Sequence, residues 1–218
     1  MTERAKGTDV SKWNYPYFPK GDEDFIIQRT SYGMVVDEKL VQMQPAVMQA
    51  PITGAYHYVS SAAPWRAQAD LFLSLSEKYD FLAWDVEKSY NVGSSLFIGG
   101  IVPAMTYLAE VSKKPVLTYC NPDMWNTWFV PIQKDLLKFD LWFARYWFIR
   151  SNVNPAVPSN MRQDWKFWQW NDRGVDENVF CGTADELRAW AKPGTVTPPV
   201  ALTLEQRVAR LEALHNIT

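Results

Sequence analysis

Cysteine and histidine are scarce in this chain. Two cysteines, Cys120 and Cys181, in 218 residues are too few for a disulfide framework. Two histidines, His57 and His215, are too few for a histidine-rich metal site, so neither a metal nor another cofactor is expected. Charge of one sign is also missing. The net charge is −2, from 22 basic and 24 acidic residues with no Lys/Arg run, which argues against nucleic acid as a partner. No stretch reads as a membrane span. The longest largely apolar run, Leu96 to Ala109, is too short to cross a bilayer and is interrupted by Gly99, Gly100 and Pro103, so it reads as a core helix. The N-terminal Met1-Thr2-Glu3-Arg4-Ala5-Lys6 leads into no apolar stretch, so no secretory leader is expected.

What the chain has in quantity is aromatic surface: 11 Trp, 10 Tyr and 11 Phe. Many of these serve a core, but Trp and Tyr are also the side chains that stack on sugar rings. Strand and helix signals alternate. Gly7–Ser11, Phe25–Thr30, Gly54–Val59, Phe81–Glu87 and Pro115–Cys120 read as strands, with helix-length segments over about Glu38–Gln49, Pro64–Tyr79, Ser94–Lys113 and Pro122–Leu137. Pro45, Pro103 and Pro131 fall inside three of these segments and should begin, break or kink a helix. After Leu137 the rhythm changes to three strand-like runs, Leu141–Trp147, Lys166–Trp170 and Val175–Phe180, with no helix between them. Repeated βα units predict a parallel sheet, and eight strands predict closure into a barrel. The expected fold is an α/β, TIM-like barrel of five βα units followed by three plain strands.

The most informative stretch is Phe81-Leu82-Ala83-Trp84-Asp85-Val86-Glu87. On a strand, Phe81, Ala83, Asp85 and Glu87 share one face while Leu82, Trp84 and Val86 share the other. Two carboxylates side by side at the end of an apolar strand raise each other's pKa, and partial burial raises it further. A carboxyl still protonated near neutral pH beside an ionised one is the equipment of glycosidic bond cleavage. Other acids reach the same end of the barrel: Asp9 on the first strand and Asp176 on the last, which a closed barrel makes neighbours. Same-face residues two apart are separated by about 6.6 Å at the backbone. That spacing fits either the retaining or the inverting geometry, so it does not decide the stereochemistry. His57 lies next to Tyr56 but on the opposite strand face, which makes it a packed or supporting residue, not a base.

Six blocks occur here in a recognisable order: Gly7-Thr8-Asp9-Val10-Ser11, Gly54-Ala55-Tyr56-His57-Tyr58, Trp84-Asp85-Val86-Glu87, Leu141-Trp142-Phe143-Ala144-Arg145-Tyr146, Phe167-Trp168-Gln169-Trp170 and Val175-Asp176-Glu177-Asn178-Val179-Phe180. In order and spacing, from about Gly7 to Trp190, the chain resembles glycoside hydrolase family 25, the lysozymes (N-acetylmuramidases) that cut bacterial peptidoglycan. The resemblance implies a barrel of five βα units followed by three strands, the count reached independently above. It implies Glu87 as proton donor, Asp85 as its partner, and Asp9 and Asp176 completing the acidic cluster. An N-acetylated substrate adds a route in which its own acetamido oxygen attacks the anomeric carbon while Asp85 orients that amide. Tyr56, Tyr119, Tyr146, Gln169 and Trp170 are the candidate sugar contacts. One departure stands out: in Arg29-Thr30-Ser31-Tyr32-Gly33 the family often carries a Glu just before the Gly, which alters local substrate contacts.

The C-terminal region reads as separate. The catalytic barrel is expected over 1–192, a Pro/Thr linker over 193–202, and a short amphipathic helix over 203–218 opened by Thr203-Leu204-Glu205-Gln206. Such a short helix is marginal alone in water. It docks on the barrel, pairs with copies of itself into a homo-oligomer, or stays disordered. Bacterial peptidoglycan is the expected partner. The expected route is synthesis in the cytoplasm, then phage-endolysin-type release or secretion to the cell wall. Competing readings on the same barrel are a non-catalytic wall-binding module, against which the intact Asp85 and Glu87 weigh, and a phage structural module held together by the tail.

Overall fold

The computed structural model describes residues 3–87, 95–146 and 165–192. The expected linker and tail helix, and the last residue of the Leu141–Trp147 run, lie outside the described residues. The strands are β1 (Lys6–Val10), β2 (Phe25–Tyr32), β3 (Val35–Val36), β4 (Ile52–Tyr58), β5 (Phe81–Asp85), β6 (Val116–Cys120), β7 (Asp140–Ala144), β8 (Phe167–Asn171) and β9 (Asp176–Phe180). The sheet order is β1-β9-β8-β7-β6-β5-β4-β2-β3, and an added β1–β2 pairing closes it. Of these nine strands, β3 is a two-residue flap paired only with the end of β2, so eight form the barrel.

The sheet is not wholly parallel. Strands β1, β2 and β4 to β8 run the same way, whereas β9 pairs antiparallel with both neighbours. The reason is local. Only a short turn, with Gly174 at φ +92, separates β8 from β9, and a parallel return needs a crossover of a dozen residues or more. Asp176 therefore lies at the start of its strand, yet at the same end of the barrel as Asp9 and Asp85, which lie near or at the ends of theirs.

The helices differ from expectation in three places. Helices α1 (Leu40–Val47), α2 (Trp65–Leu75) and α3 (Ser95–Ser112) form where the periodicity puts them, with Pro45 and Pro103 inside α1 and α3. No α-helix directly follows β1, only a 3₁₀ turn at Lys12–Asn14. The expected helix over Pro122–Leu137 is broken into a π turn at Met124–Trp128, a 3₁₀ turn at Val130–Ile132 and the single-turn α4 (Gln133–Leu136). Pro131 lacks the N–H that a continuous helix would use. Finally, α5 (Ala184–Ala191) follows β9, where no helix was expected after the last strand. Its start is a capping box in which Thr183 Oγ1 accepts from the Glu186 N–H and Glu186 bonds back to the Thr183 N–H.

Strand alternation sorts the apolar residues into two cores. Leu82, Trp84 and Val86 join the layer between the barrel and α1 to α3. Phe25, Phe81, Leu117, Trp142 and Phe167 fill the barrel interior, and Leu187 and Ala191 of α5 seal its bottom. Trp190 packs there 5.2 Å from the Phe81 ring and 5.4 Å from Phe167. With the lower barrel filled by rings, only the upper end is left for polar side chains.

Two inward glycines make room for that plug. A Cβ on Gly7 would sit 2.1 Å from the Phe25 carbonyl oxygen, and one on Gly54 would sit 2.4 Å from the Phe81 ring. Phe81 is itself stacked on Phe167 at 5.1 Å and cannot retreat. Gly54→Ala is therefore expected to cost about 1–3 kcal/mol by overpacking. In a domain of this size that lowers the melting temperature by roughly 3–10 °C. A thermal melt of the variant that matches wild type would contradict this packing account.

Candidate active site

Four carboxylates converge at the upper end of the barrel. Asp9 and Asp176 are direct partners across the β1–β9 pair. Asp9 Oδ2 accepts from Asn178 Nδ2 at 2.6 Å and from Gln169 Nε2 at 2.8 Å, and Gln169 Nε2 also reaches Asp176 Oδ2 at 3.1 Å. The amides are in turn oriented. Tyr119 donates to Gln169 Oε1 at 2.8 Å, Tyr146 reaches the same oxygen at 3.4 Å, and Trp142 Nε1 donates to Asn178 Oδ1 at 2.8 Å. Asp9 is thus an acid held in one position by a two-layer network.

Asp85 and Glu87 are arranged differently. Asp85 ends β5, is buried, and its Oδ1 has no hydrogen-bond partner among the described residues. The ladder continues past it through Val86 N–H donating to the Tyr119 carbonyl at 3.2 Å, so the alternation carries to Glu87, which is half-buried. One acid of this pair is sunk in the wall and the other stands nearer the opening.

All four acids are pushed toward the protonated state. Burial raises Asp9 to about 6, against the lowering effect of the Asn178 and Gln169 amides. Burial, then the charge of Asp9, raises Asp176 to about 8. Burial, followed by Glu87 and Asp9, carries Asp85 well above the usual carboxylate range, while Arg29 opposes. Glu87 is raised by burial and then by Asp9. Carboxyl groups that keep protons to neutral pH are able to act as general acids there.

The expected sugar contacts divide. Tyr56, Tyr119 and Gln169 are in the wall around the acids: the Tyr119 ring lies 4.6 Å from Trp142 and the Tyr56 ring 5.9 Å from it. Tyr146 stands at the rim, 52% exposed. Trp170 is not brought to the acids. With Trp168 it points outward on β8, next to a bulge between Gln169 and Asn171. It packs on the outer core and lines a groove of about 230 Å³ with Lys6, Lys20 and Glu177. A larger cavity of about 590 Å³ also lies off the acids, between α2, α3 and the outer face of Trp84.

His57 is fully buried and bonded to Ser31 Oγ at 2.8 Å and Gln68 Oε1 at 3.1 Å, with its ring stacked 4.7 Å from Trp84. Burial lowers its pKa to about 4, which keeps it neutral, in keeping with a packed residue. Cys120 is buried and Cys181 exposed, and both are free thiols. Among the described residues, no group of three or more His, Cys, Asp or Glu is placed to hold a metal ion, and no helix is long and apolar enough to cross a membrane.

Three residues of the site were not singled out from sequence: Asn178, Trp142 and Arg29. Asn178 was legible in principle, because it shares the inward face of β9 with Asp176. Arg29 shares the inward parity of Phe25 and Ile27, and its Nε bonds Asp37 Oδ2 at 2.7 Å.

Residues 8–179 match the sequence profile of Glycosyl hydrolases family 25. The uncharacterized protein YegX of Escherichia coli O157:H7 is 32% identical over 160 residues, covering 67% of this chain and 54% of that protein. The chain thus spans about half the length of the curated relatives it matches. Among solved structures, a family 25 glycosyl hydrolase from Bacillus anthracis superposes with TM-score 0.74 at 20% identity, covering 87% of this chain and 94% of the other. A muramidase from Acremonium alcalophilum superposes with TM-score 0.73 at 25% identity, covering 86% of this chain and 99% of the other. With the profile spanning most of the barrel and the four acids at its upper end, the chain belongs to glycosyl hydrolase family 25.

Proposed function

We propose that this chain cleaves the β-1,4 bond between N-acetylmuramic acid and N-acetylglucosamine in bacterial peptidoglycan. The observation that carries the reading is the unequal Asp85–Glu87 pair: a sunk acid whose Oδ1 has no partner among the described residues, beside a half-buried acid whose surroundings favour its protonated form. Glu87 gives its proton to the glycosidic oxygen as the bond to the anomeric carbon breaks. The carbonyl oxygen of the 2-acetamido group attacks that carbon, and Asp85 accepts from the acetamido N–H, holding the amide in line and balancing its developing positive charge. The Glu87 carboxylate then takes a proton from a water molecule whose oxygen adds to the anomeric carbon as the bond from that carbon to the acetamido oxygen breaks, which restores the acetamido group and returns Glu87 to its acid form. Asp9 and Asp176 stay in place under Gln169 and Asn178, and the charge of Asp9 helps Glu87 keep its proton. The Tyr56 and Tyr119 rings form the wall beside the reacting sugar.

Bond choice is read from the product. Muramidase action leaves N-acetylmuramic acid at the new reducing end. Borohydride reduction of a peptidoglycan digest followed by mass analysis is expected to show reduced muramic acid. Reduced glucosamine would overturn the bond assignment, and binding to the wall without release of reducing ends would overturn the catalytic reading.

A further inference from the structure

Arg29 is a cation placed inside an acidic barrel mouth, and only part of it is used. It projects inward from β2, and its side chain is 11% exposed. Its Nε donates to Asp37 Oδ2 at 2.7 Å, yet Nη2 is buried with no hydrogen-bond partner among the described residues. Asp37 is 1% exposed and also accepts from the backbone N–H groups of Lys12 at 3.2 Å and Lys39 at 2.9 Å. The clamp thus ties β2, the loop after β1 and the start of α1 to one carboxylate, and it fixes where the guanidinium points. A purely structural arginine at this depth would have its nitrogens bonded, because a buried unpaired donor is costly.

The register shows what lies in front of it. Arg29 pairs with Tyr56 on β4, and Tyr58, on the same face two residues further, pairs with Asp85 on β5. Arg29 is level with Ala83 of β5, so Asp85 lies two strand spacings of about 4.8 Å across the barrel wall and about 6.6 Å further along it, a diagonal that the two side chains narrow from both ends. Asp85 Oδ1 is buried without a partner among the described residues. The ionisable groups facing Asp85 are Glu87 on its own segment, Asp9 on β1, Tyr56 and Tyr58 on β4, and Tyr119 and Cys120 on β6. Each of these is an acid, so among the described residues Arg29 supplies the positive charge that acts on Asp85. It has no such part in the surroundings of Glu87.

We propose that Arg29 is a positioning residue of the hydrolytic site: clamped by Asp37, its guanidinium faces the mouth from β2 and offsets part of the cost of ionising the buried Asp85, favouring the anionic form that the reaction uses. Two interacting carboxyls share one proton over a range of pH, and a nearby fixed positive charge favours the ionised form of the one it faces. The inference rests on the roles proposed above for Asp85 and Glu87. Without Arg29 the burial and neighbouring acids that raise Asp85 act unopposed. That carboxyl then holds the acetamido group as an anion over a narrower range of pH.

The test uses the full chain and two readouts. The carboxyl carbon of Asp85 is followed by ¹³C NMR across pH, assigned through Asp85→Asn, and hydrolysis of soluble peptidoglycan fragments is followed in parallel. In Arg29→Gln the Asp85 titration is expected to move up by about one pH unit. The kcat at the wild-type optimum is expected to fall by about tenfold with KM changed by less than about threefold, as for a group acting on the chemical step and not on binding. Arg29→Lys, which keeps the charge, is expected to leave Asp85 titrating near its wild-type position. Arg29→Met keeps the apolar stem and takes the place of the Gln variant if that one does not fold. An unmoved Asp85 titration in a folded neutral variant overturns the proposal, as does a raised KM with kcat intact. If the wild-type chain releases no reducing ends, the proposed reaction fails, while the Asp85 titration still decides the role of Arg29.

Discussion

Replacing Glu87 with glutamine is expected to reduce turnover on peptidoglycan by at least about a hundredfold, the lower range for loss of a general acid. The amide matches the carboxyl in size and reaches the same point beside the opening, so substrate binding and the barrel are expected to survive. What is lost is a proton that can leave with the glycosidic oxygen. Burial and the charge of Asp9 both favour the acid form of Glu87, so activity should decline as pH rises through its titration. The variant's residual rate should lack that decline. Measured release of reducing ends, with circular dichroism confirming the fold, is the check. A folded Glu87→Gln enzyme with near-wild-type turnover would remove Glu87 from the donor role.

Asp85→Asn is expected to impair catalysis as severely while making the protein more stable at alkaline pH. The loss of activity follows from charge, since an amide neither balances a developing positive charge nor accepts from the acetamido N–H as an anion does. The gain in stability follows from linkage. Asp85 in the fold titrates well above its unfolded value of 3.8, and Asp9 and Asp176 titrate at about 6 and about 8 against the same 3.8. The folded state therefore holds protons that the unfolded chain has released, and stability falls as pH rises from about 4 through about 8. His57 works in the opposite sense. Lowered from 6.5 to about 4, it favours the fold above pH 6.5 and loses that contribution as pH falls toward 4. Above 6.5 it is neutral in both states, so the decline between about 6.5 and 8 belongs to the acids. Exposed Asp22, lowered by its bond to Lys6, titrates far below this window. Thermal melts at pH 6.5 and pH 8 should show the wild type losing more between the two than Asp85→Asn. Equal losses would mean that Asp85 is not held against its charge. An active site that is less stable with its acids than without them reflects the usual conflict between function and stability.

Much of the fold could be read from alternation alone. Phe81, Ala83 and Asp85 fell on one face and Leu82, Trp84 and Val86 on the other, and those faces are the interior and the helix-covered exterior of the barrel. The capping box that starts α5 was equally visible at Thr183 and Glu186 but was passed over, because the count of strands already closed the barrel. The direction of β9 was not legible from its own residues. A run such as Asp176–Phe180 has the same pattern whichever way it pairs, and only the short turn before it forbids a parallel return. Trp170 was misplaced against that same alternation: it shares the parity of Trp168, so with Gln169 facing the acids it falls on the outer face.

The sequence by itself determined which acids the site contains, because inward parity at strand ends on β1 and β5 requires only a period of two and a closed sheet. Tertiary structure decided what each acid is. Asp9 is braced by Asn178 and Gln169 from the far side of the closure, whereas Asp85 Oδ1 has no hydrogen-bond partner among the described residues and lies across the wall from Arg29, and these differences come from residues as many as 169 positions apart. Ionisation depends on burial and on charges within a few ångströms. Those are properties of the assembled barrel mouth, brought together only when β1 pairs with both β2 and β9.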